Sequence, residues 1–201
     1  MQPVSHFFAY ISRLRWIKRW SLMRNAIHED VATHSWEVAT IAHALAVIHN
    51  HLNTDVLDAH KMAAVAIYHD ASEVITGDMP TPVKYHSNAM RQAYKGVERK
   101  AQHELLALIP DALQPDFQTV LLEEKLPETY QILLKAADRL SALLKCRAEL
   151  RAGNREFEQA EQDISKRLYD MDRAEVNYFL EVFSPGYDMS LDHLLEPEPQ
   201  S

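Results

Sequence analysis

Apolar residues recur three and four positions apart along nearly the whole chain. Phe7, Ile11, Leu14 and Ile17 make one such stripe over His6 to Lys18, and Val38, Ile41, Ala42, Leu45 and Ile48 make another over His34 to His51. A third, Leu133, Ala137, Leu140 and Leu144, runs through the segment from Pro127 to Arg151. This is the period of a buried helix face, and no stretch carries a convincing hairpin signal. The same reading predicts helices from Asp55 to Thr76 and from Ser87 to Ile109, and a short one over Phe117 to Leu122. One broken or two short helices follow between Glu156 and Phe183. The expected architecture is all-α, a single-domain helical bundle.

Polar and turn-forming residues punctuate that pattern. Thr33 is the expected N-cap of the second helix, which puts His34 at the helix start, and Arg19-Trp20-Ser21 is the expected turn out of the first. Gly77 suits the position just past the third helix. Pro80 and Pro82 forbid regular helix bonding in Asp78 to Lys84 and stiffen it into a rigid lip beside that helix's end. Pro110 ends the long fourth helix, and Gly153-Asn154 close the one that reaches Arg151.

With 201 residues, the chain can bury a large core without disulfides, and Cys146, its only cysteine, is expected to be a buried, inert thiol. No apolar run approaches membrane-spanning length and the start lacks a signal-peptide pattern, so the expected location is cytoplasmic with no membrane partner. A net charge of -8 argues against gripping a nucleic-acid polymer. It leaves room for a small phosphorylated ligand, and Arg13, Arg15, Lys18, Arg19 and Arg24 form a basic segment that could receive one.

Candidate chemistry centres on Tyr68-His69-Asp70-Ala71-Ser72-Glu73. Asp70 and Glu73 share a helix face at i and i+3, with His69 about a third of a turn away. Two neighbouring carboxylates beside an apolar wall call for a compensating cation. Other donors can come from His34 and from Asp138, which lies beside alanines at the margin of the third stripe; paired with Lys135, Asp138 would instead be a surface charge. A mixed imidazole and carboxylate set suits manganese, cobalt, iron or nickel and could take zinc, but lacks the thiolates of a closed structural zinc site. Open positions on such an ion let water ionise near neutrality beside a phosphoryl group, and Glu73 could carry a proton. Of the remaining histidines, His43 and His60 lack carboxylates at useful spacing, and His49 and His51, two apart at a helix end, point to different sides.

The order His34, His69-Asp70, Asp138 on helices resembles the signature of the HD-domain metal-dependent phosphohydrolases. Longer words narrow it: Ser5-His6-Phe7-Phe8-Ala9, Arg19-Trp20-Ser21-Leu22-Met23-Arg24-Asn25, Tyr68-His69-Asp70-Ala71-Ser72-Glu73-Val74, and Thr76-Gly77-Asp78-Met79-Pro80-Thr81-Pro82-Val83-Lys84-Tyr85. From near residue 5 to about residue 190 the chain is similar to the bacterial 5′-deoxynucleotidases of that superfamily. The resemblance implies an HD domain over residues 1–190 with a flexible tail over 191–201. It also implies a cytoplasmic homodimer and release of phosphate from deoxyribonucleoside 5′-monophosphates with a divalent cation, cobalt, manganese or copper.

Position by position, the resemblance makes His34, His69, Asp70 and Asp138 metal ligands and Glu73 a catalytic carboxylate. Arg19 would orient the phosphate in catalysis, and Trp20 would lie against the sugar, where a rigid wall penalises a ribose 2′-hydroxyl. Asp78, Met79, Pro80 and Thr81 would form the nucleotide-facing lip, so the implied substrate site comprises these four with Arg19, Trp20, His34 and Asp138. One departure is Ala32-Thr33-His34-Ser35, where the family pattern is Ser-Glu-His-Ser; a carboxylate that could tune the metal is missing at Thr33. Three other readings stay open on the residues alone: hydrolysis of nucleoside triphosphates or alarmone pyrophosphates at the same metal, a nucleotide-binding regulatory module, and a purely structural bundle.

Overall fold

A computed structural model describes residues 4–195, and it is helical throughout apart from one isolated antiparallel bridge between Lys18 and Asp30. The chain opens with α1 (Phe7–Ile11), which tightens at once into a 3-10 turn over Ser12–Trp16 in place of the single predicted helix to Lys18. The Ser12 hydroxyl donates to the Ala9 carbonyl at 2.8 Å and so competes with the backbone ladder where the helix changes pitch.

Helix α2 (Val31–Leu52) starts three residues before the predicted start. Its N-cap is Asp30, whose carboxylate accepts from the Thr33 N–H at 2.9 Å, so Thr33 is not the cap and His34 lies one turn inside the helix. Helix α3 (Ala59–Tyr68) is likewise capped by an aspartate, Asp58, but it does not run on to Thr76. The Ala66 carbonyl receives both the His69 N–H at 3.5 Å and the His69 ring Nδ1 at 2.7 Å, and the chain leaves the helix there. A single-turn helix, α4 (Glu73–Thr76), follows the break and ends at Gly77, whose φ of 71° is the left-handed geometry expected of it.

The lip also differs from its prediction. Thr81–Lys84 is a one-turn helix, α5, since Pro82 occupies its first turn, where a missing N–H costs nothing. Then come α6 (Asn88–Ala107), capped by Ser87, α7 (Gln114–Leu121), α8 (Glu128–Arg151), α9 (Glu158–Tyr169) and α10 (Ala174–Val182). A short α11 (Leu191–Leu195) occupies the start of the stretch expected to be a flexible tail; Glu196–Ser201 lie outside the described residues.

Helices α2, α3 and α8 pack into one core with α10. Ala39, Ala42 and Ala46 on α2, Ala66 on α3, and Ala136 and Ala137 on α8 are all buried, letting backbones approach closely, while Leu45, Leu133, Leu140 and Leu143 fill the space between. Each buried leucine is worth about 1.5–3 kcal/mol in transfer from water. A second cluster, Phe7, Ala71, Leu105, Ile109 and Leu121, holds the segment after α3 against α1, α6 and α7. Both cores therefore grip the two sides of the α3 break. Among the described residues no helix is long and apolar enough to cross a membrane.

Candidate active site

The α3 break is what lets His69 and Asp70 face α2 and α8 together. Arg19 Nη1, His69 Nε2 and His34 Nε2 lie 3.3, 3.1 and 3.6 Å from one atom, Asp70 Oδ2, and Asp138 Oδ1 on α8 lies 3.2 Å from His34 Nε2. His34 is fully buried, and its ring centre is 5.4 Å from that of His69. Donor atoms of His34, His69 and Asp70 all fall within 4.8 Å of one another. Asp138 faces this group; among the described residues it forms no ion pair with Lys135.

Tautomers follow from the other ring nitrogens. His69 Nδ1 donates to the Ala66 carbonyl, and His34 Nδ1 lies 3.1 Å from Ser141 Oγ and 3.6 Å from Glu29 Oε1. Both rings thus turn Nε2 toward Asp70, and among the described residues neither Nε2 has an aligned hydrogen-bond partner although both are buried. Buried imidazole nitrogens are seldom left this way without a ligand. Two lone-pair nitrogens and two carboxylates with nitrogen orphans between them fit a divalent cation.

Charges in the site favour the same conclusion. Burial opposes ionisation of Asp70, yet His69, His34 and Arg19 hold its carboxyl well below the usual range, so it stays an anion. Asp138 is likewise lowered, by its contact with His34, against the cost of burial. Burial and the Arg19 charge resist protonation of His34, but contacts with Asp138 and Glu29 outweigh them and push it up to about 9. A proton on that ring stands where a cation would otherwise sit. Arg19 remains charged because Asp70, Asp138, Glu29 and Asp78 more than offset its desolvation.

Glu73 is the opposite case. It begins α4, is 7% exposed, and its Oε2 has no partner; burial, Asp70 and Asp78 push its carboxyl up to about 10. It is a protonated acid at neutral pH unless a cation is added beside it.

Arg19 and Trp20 reach the site through the bridge that closes the loop between them and α2. Arg19 N–H donates to the Glu29 carbonyl at 3.1 Å, and the Trp20 indole N–H donates to Glu29 Oε2 at 2.6 Å. Trp20 adopts a left-handed backbone, φ 57°, and its ring lies 5.3 Å from Phe157, so it is packed and tethered at once. A non-glycine residue pays for that geometry, and it persists because its neighbours over-determine it. A cavity of about 220 Å³ opens beside Arg19, Trp20, Asn25 and Glu29, and none of the four candidate ligands lines it.

Gly77 returns the chain so that Asp78 interacts with Arg19 and Asp70; burial and Asp70 raise the Asp78 carboxyl while Arg19 lowers it. Met79, Pro80 and Thr81 continue that segment and make no hydrogen bond to the four candidate ligands among the described residues. The structure places Arg19, His34, His69, Asp70 and Asp138, which the sequence singled out, beside one another, and adds Glu29, Glu37 and Ser141, which sequence reasoning missed. Two of these carried a signal: Glu37 follows His34, and Ser141 follows Asp138, by three residues on one helix face. The departure at Thr33 is harmless to the geometry, because Thr33 is exposed and the carboxylates near His34 Nδ1 come from Glu29 and Glu37.

The chain is similar to known proteins in both sequence and fold. Residues 6–187 match the family model described as 5′-deoxynucleotidase YfbR-like. A 5′-deoxynucleotidase of Yersinia pestis (strain Pestoides F) is 48% identical over 191 residues, covering 95% of this chain and 97% of the relative. Among solved structures, an HD-domain phosphohydrolase from Listeria innocua superposes with a TM-score of 0.78 at 26% identity, over 90% of this chain and 88% of that one. A cyanophage S-2L HD phosphohydrolase, bound to dA and one catalytic Zn2+ ion, shares the fold with a TM-score of 0.67 at 18% identity, over 92% of this chain and 99% of that one.

Proposed function

The chain belongs to the YfbR-like 5′-deoxynucleotidase family, and from that premise we propose how its own residues divide the reaction. The reaction is hydrolysis of a deoxyribonucleoside 5′-monophosphate to the deoxyribonucleoside and phosphate. The observation that carries the assignment is the pair of buried, unpartnered Nε2 atoms of His34 and His69 facing Asp70.

His34, His69, Asp70 and Asp138 hold the cation. When bound, it supplies Lewis acidity toward a phosphoryl oxygen and eases ionisation of water. Cobalt, manganese or copper suits the mixed nitrogen and oxygen donors. Arg19, whose Nη1 is 3.3 Å from Asp70, orients the phosphate through its fork of donors. Glu73, kept protonated by burial and by Asp70 and Asp78, carries the proton to the leaving 5′ oxygen.

Trp20, tethered by Glu29, walls the sugar, and Asp78, Met79, Pro80 and Thr81 face the nucleotide. The protein works as a cytoplasmic homodimer; exposed Tyr169, Leu191 and Leu195, at 81%, 70% and 74%, are apolar surface that a second copy could cover. Light scattering decides the assembly. The reaction is tested by phosphate release from paired deoxy- and ribonucleoside monophosphates after EDTA treatment and return of each metal. Release from the deoxy member of each pair, restored by cobalt or manganese, is expected; no restoration by any divalent metal would sink the reading.

A further inference from the structure

Glu37 and Ser141, on α2 and α8, sit on the Nδ1 side of His34, away from the Nε2 that faces Asp70. They are joined to the ring by one chain of hydrogen bonds. The Ser141 hydroxyl donates to Glu37 Oε2 at 2.6 Å, and Ser141 Oγ lies 3.1 Å from His34 Nδ1. A hydroxyl has a single proton. With that proton committed to Glu37, Ser141 Oγ can only accept from His34, so Nδ1 must carry hydrogen and the lone pair of the neutral ring must sit on Nε2.

Burial gives the chain its leverage. His34 and Ser141 are both fully buried, so no water competes for Nδ1 or rotates the hydroxyl. His34 Nε2 then faces Asp138 Oδ1 at 3.2 Å and Asp70 Oδ2 at 3.6 Å without an aligned partner of its own. Helix geometry couples the parts: Glu37 is one turn from His34, and Ser141 is one turn from Asp138, so the same pair of helices that contributes two ligands contributes the device that aims one of them.

We propose that Glu37 and Ser141 are positioning residues that lock His34 in the Nδ1–H tautomer and aim its Nε2 at the cation. The proposal rests on the metal reading above. Glu29 Oε1, 3.6 Å from Nδ1, supports the same tautomer from the other side but is already engaged by Trp20 and Arg19 through Oε2. Losing Glu37 frees the Ser141 proton to point at Nδ1, which permits the tautomer with its hydrogen on Nε2 and closes that position to metal.

The test compares wild type with Glu37→Ala, Glu37→Gln and Ser141→Ala, measuring zinc affinity by chelator competition. Glu37→Ala and Ser141→Ala are expected to weaken zinc about 10–100-fold. Glu37→Gln, whose amide oxygen still accepts from Ser141, is expected to restore most of that affinity. The double variant Glu37→Ala/Ser141→Ala should be no weaker than Ser141→Ala, because both act through one chain.

Glu37 is only half-buried, so its variants keep the test alive if Ser141→Ala fails to fold. Affinities of both alanine variants within twofold of wild type, or a Glu37→Gln affinity no better than that of Glu37→Ala, would overturn the proposal. Wild type that binds neither zinc nor cobalt nor manganese would instead remove the metal reading on which it stands.

Discussion

Two buried clusters of charge in this protein are built on opposite terms. Around Glu149 every demand is met: its carboxylate accepts from the Ala26 and Ile27 N–H groups at 2.8 and 2.9 Å, from Asn154 at 2.7 Å, and from Lys145. Around Asp70 the demands are left open: among the described residues His34 Nε2, His69 Nε2, Arg19 Nε and Glu73 Oε2 are all buried without a hydrogen-bond partner. The first cluster pins the loop that follows Trp20 onto α8 and has nothing left to offer a ligand. The second can be completed only by something from outside. Unsatisfied polarity, more than charge, separates a site from a staple.

Breaking each cluster should therefore cost different things. His69→Asn keeps a donor near the place of Nδ1 and removes Nε2. Activity should fall by more than the about 10–100-fold typical of losing a group that merely supports a ligand, while the metal-free protein stays within about 1 kcal/mol of wild type in urea unfolding. Comparable losses of stability and activity would mean that the Asp70 cluster is structural after all.

Glu149→Ala should do the reverse. It strips the Ala26 and Ile27 amides of their acceptor and leaves Lys145, itself 7% exposed, without its counter-charge. The expected cost is about 3–5 kcal/mol in unfolding free energy, and a cost below about 1 kcal/mol would show the network to be ornamental.

The subtlest contrast is in pH. Burial resists ionisation of Glu149, but Lys145, Asn154 and the two backbone donors bring it down to about 2. Its stabilisation is present above the ordinary value of 4.5 and is lost as pH falls toward 2. Glu73 is shifted the other way, up to about 10, chiefly by burial. In the metal-free protein its contribution is present below 4.5 and is lost as pH rises toward 10. Metal-free Glu73→Gln should accordingly lose less stability than wild type between neutral pH and 9 in thermal melts and match its acid limb. Parallel curves across the alkaline limb would refute the Glu73 assignment.

Local and cooperative features of the chain were legible to different degrees. Stripes such as Val38, Ile41, Leu45 or Leu133, Ala137, Leu140 name their helices because a 3.6-residue period is a property of neighbouring residues. Cys146 was legible too: it is fully buried, and burial together with nearby Glu161 pushes its thiol up to about 12, as suits an inert core residue. Breaks were harder. Asp30 took the cap expected of Thr33, and α3 ended at Tyr68 although the pattern runs on to Thr76, because the choice lay with competing hydrogen bonds that a period does not contain.

By itself, then, the sequence determined the helices, their apolar faces and the donor types His34, His69, Asp70 and Asp138, since each follows from spacing and side-chain chemistry. Only the tertiary structure decided that Arg19, His34 and His69 converge on Asp70, that Glu29 ties Trp20 to the site, and that Ser141 and Glu37 stand behind His34. Those contacts join residues up to 107 positions apart. Their geometry depends on how three helices pack and where one of them breaks, which no local pattern along the chain encodes.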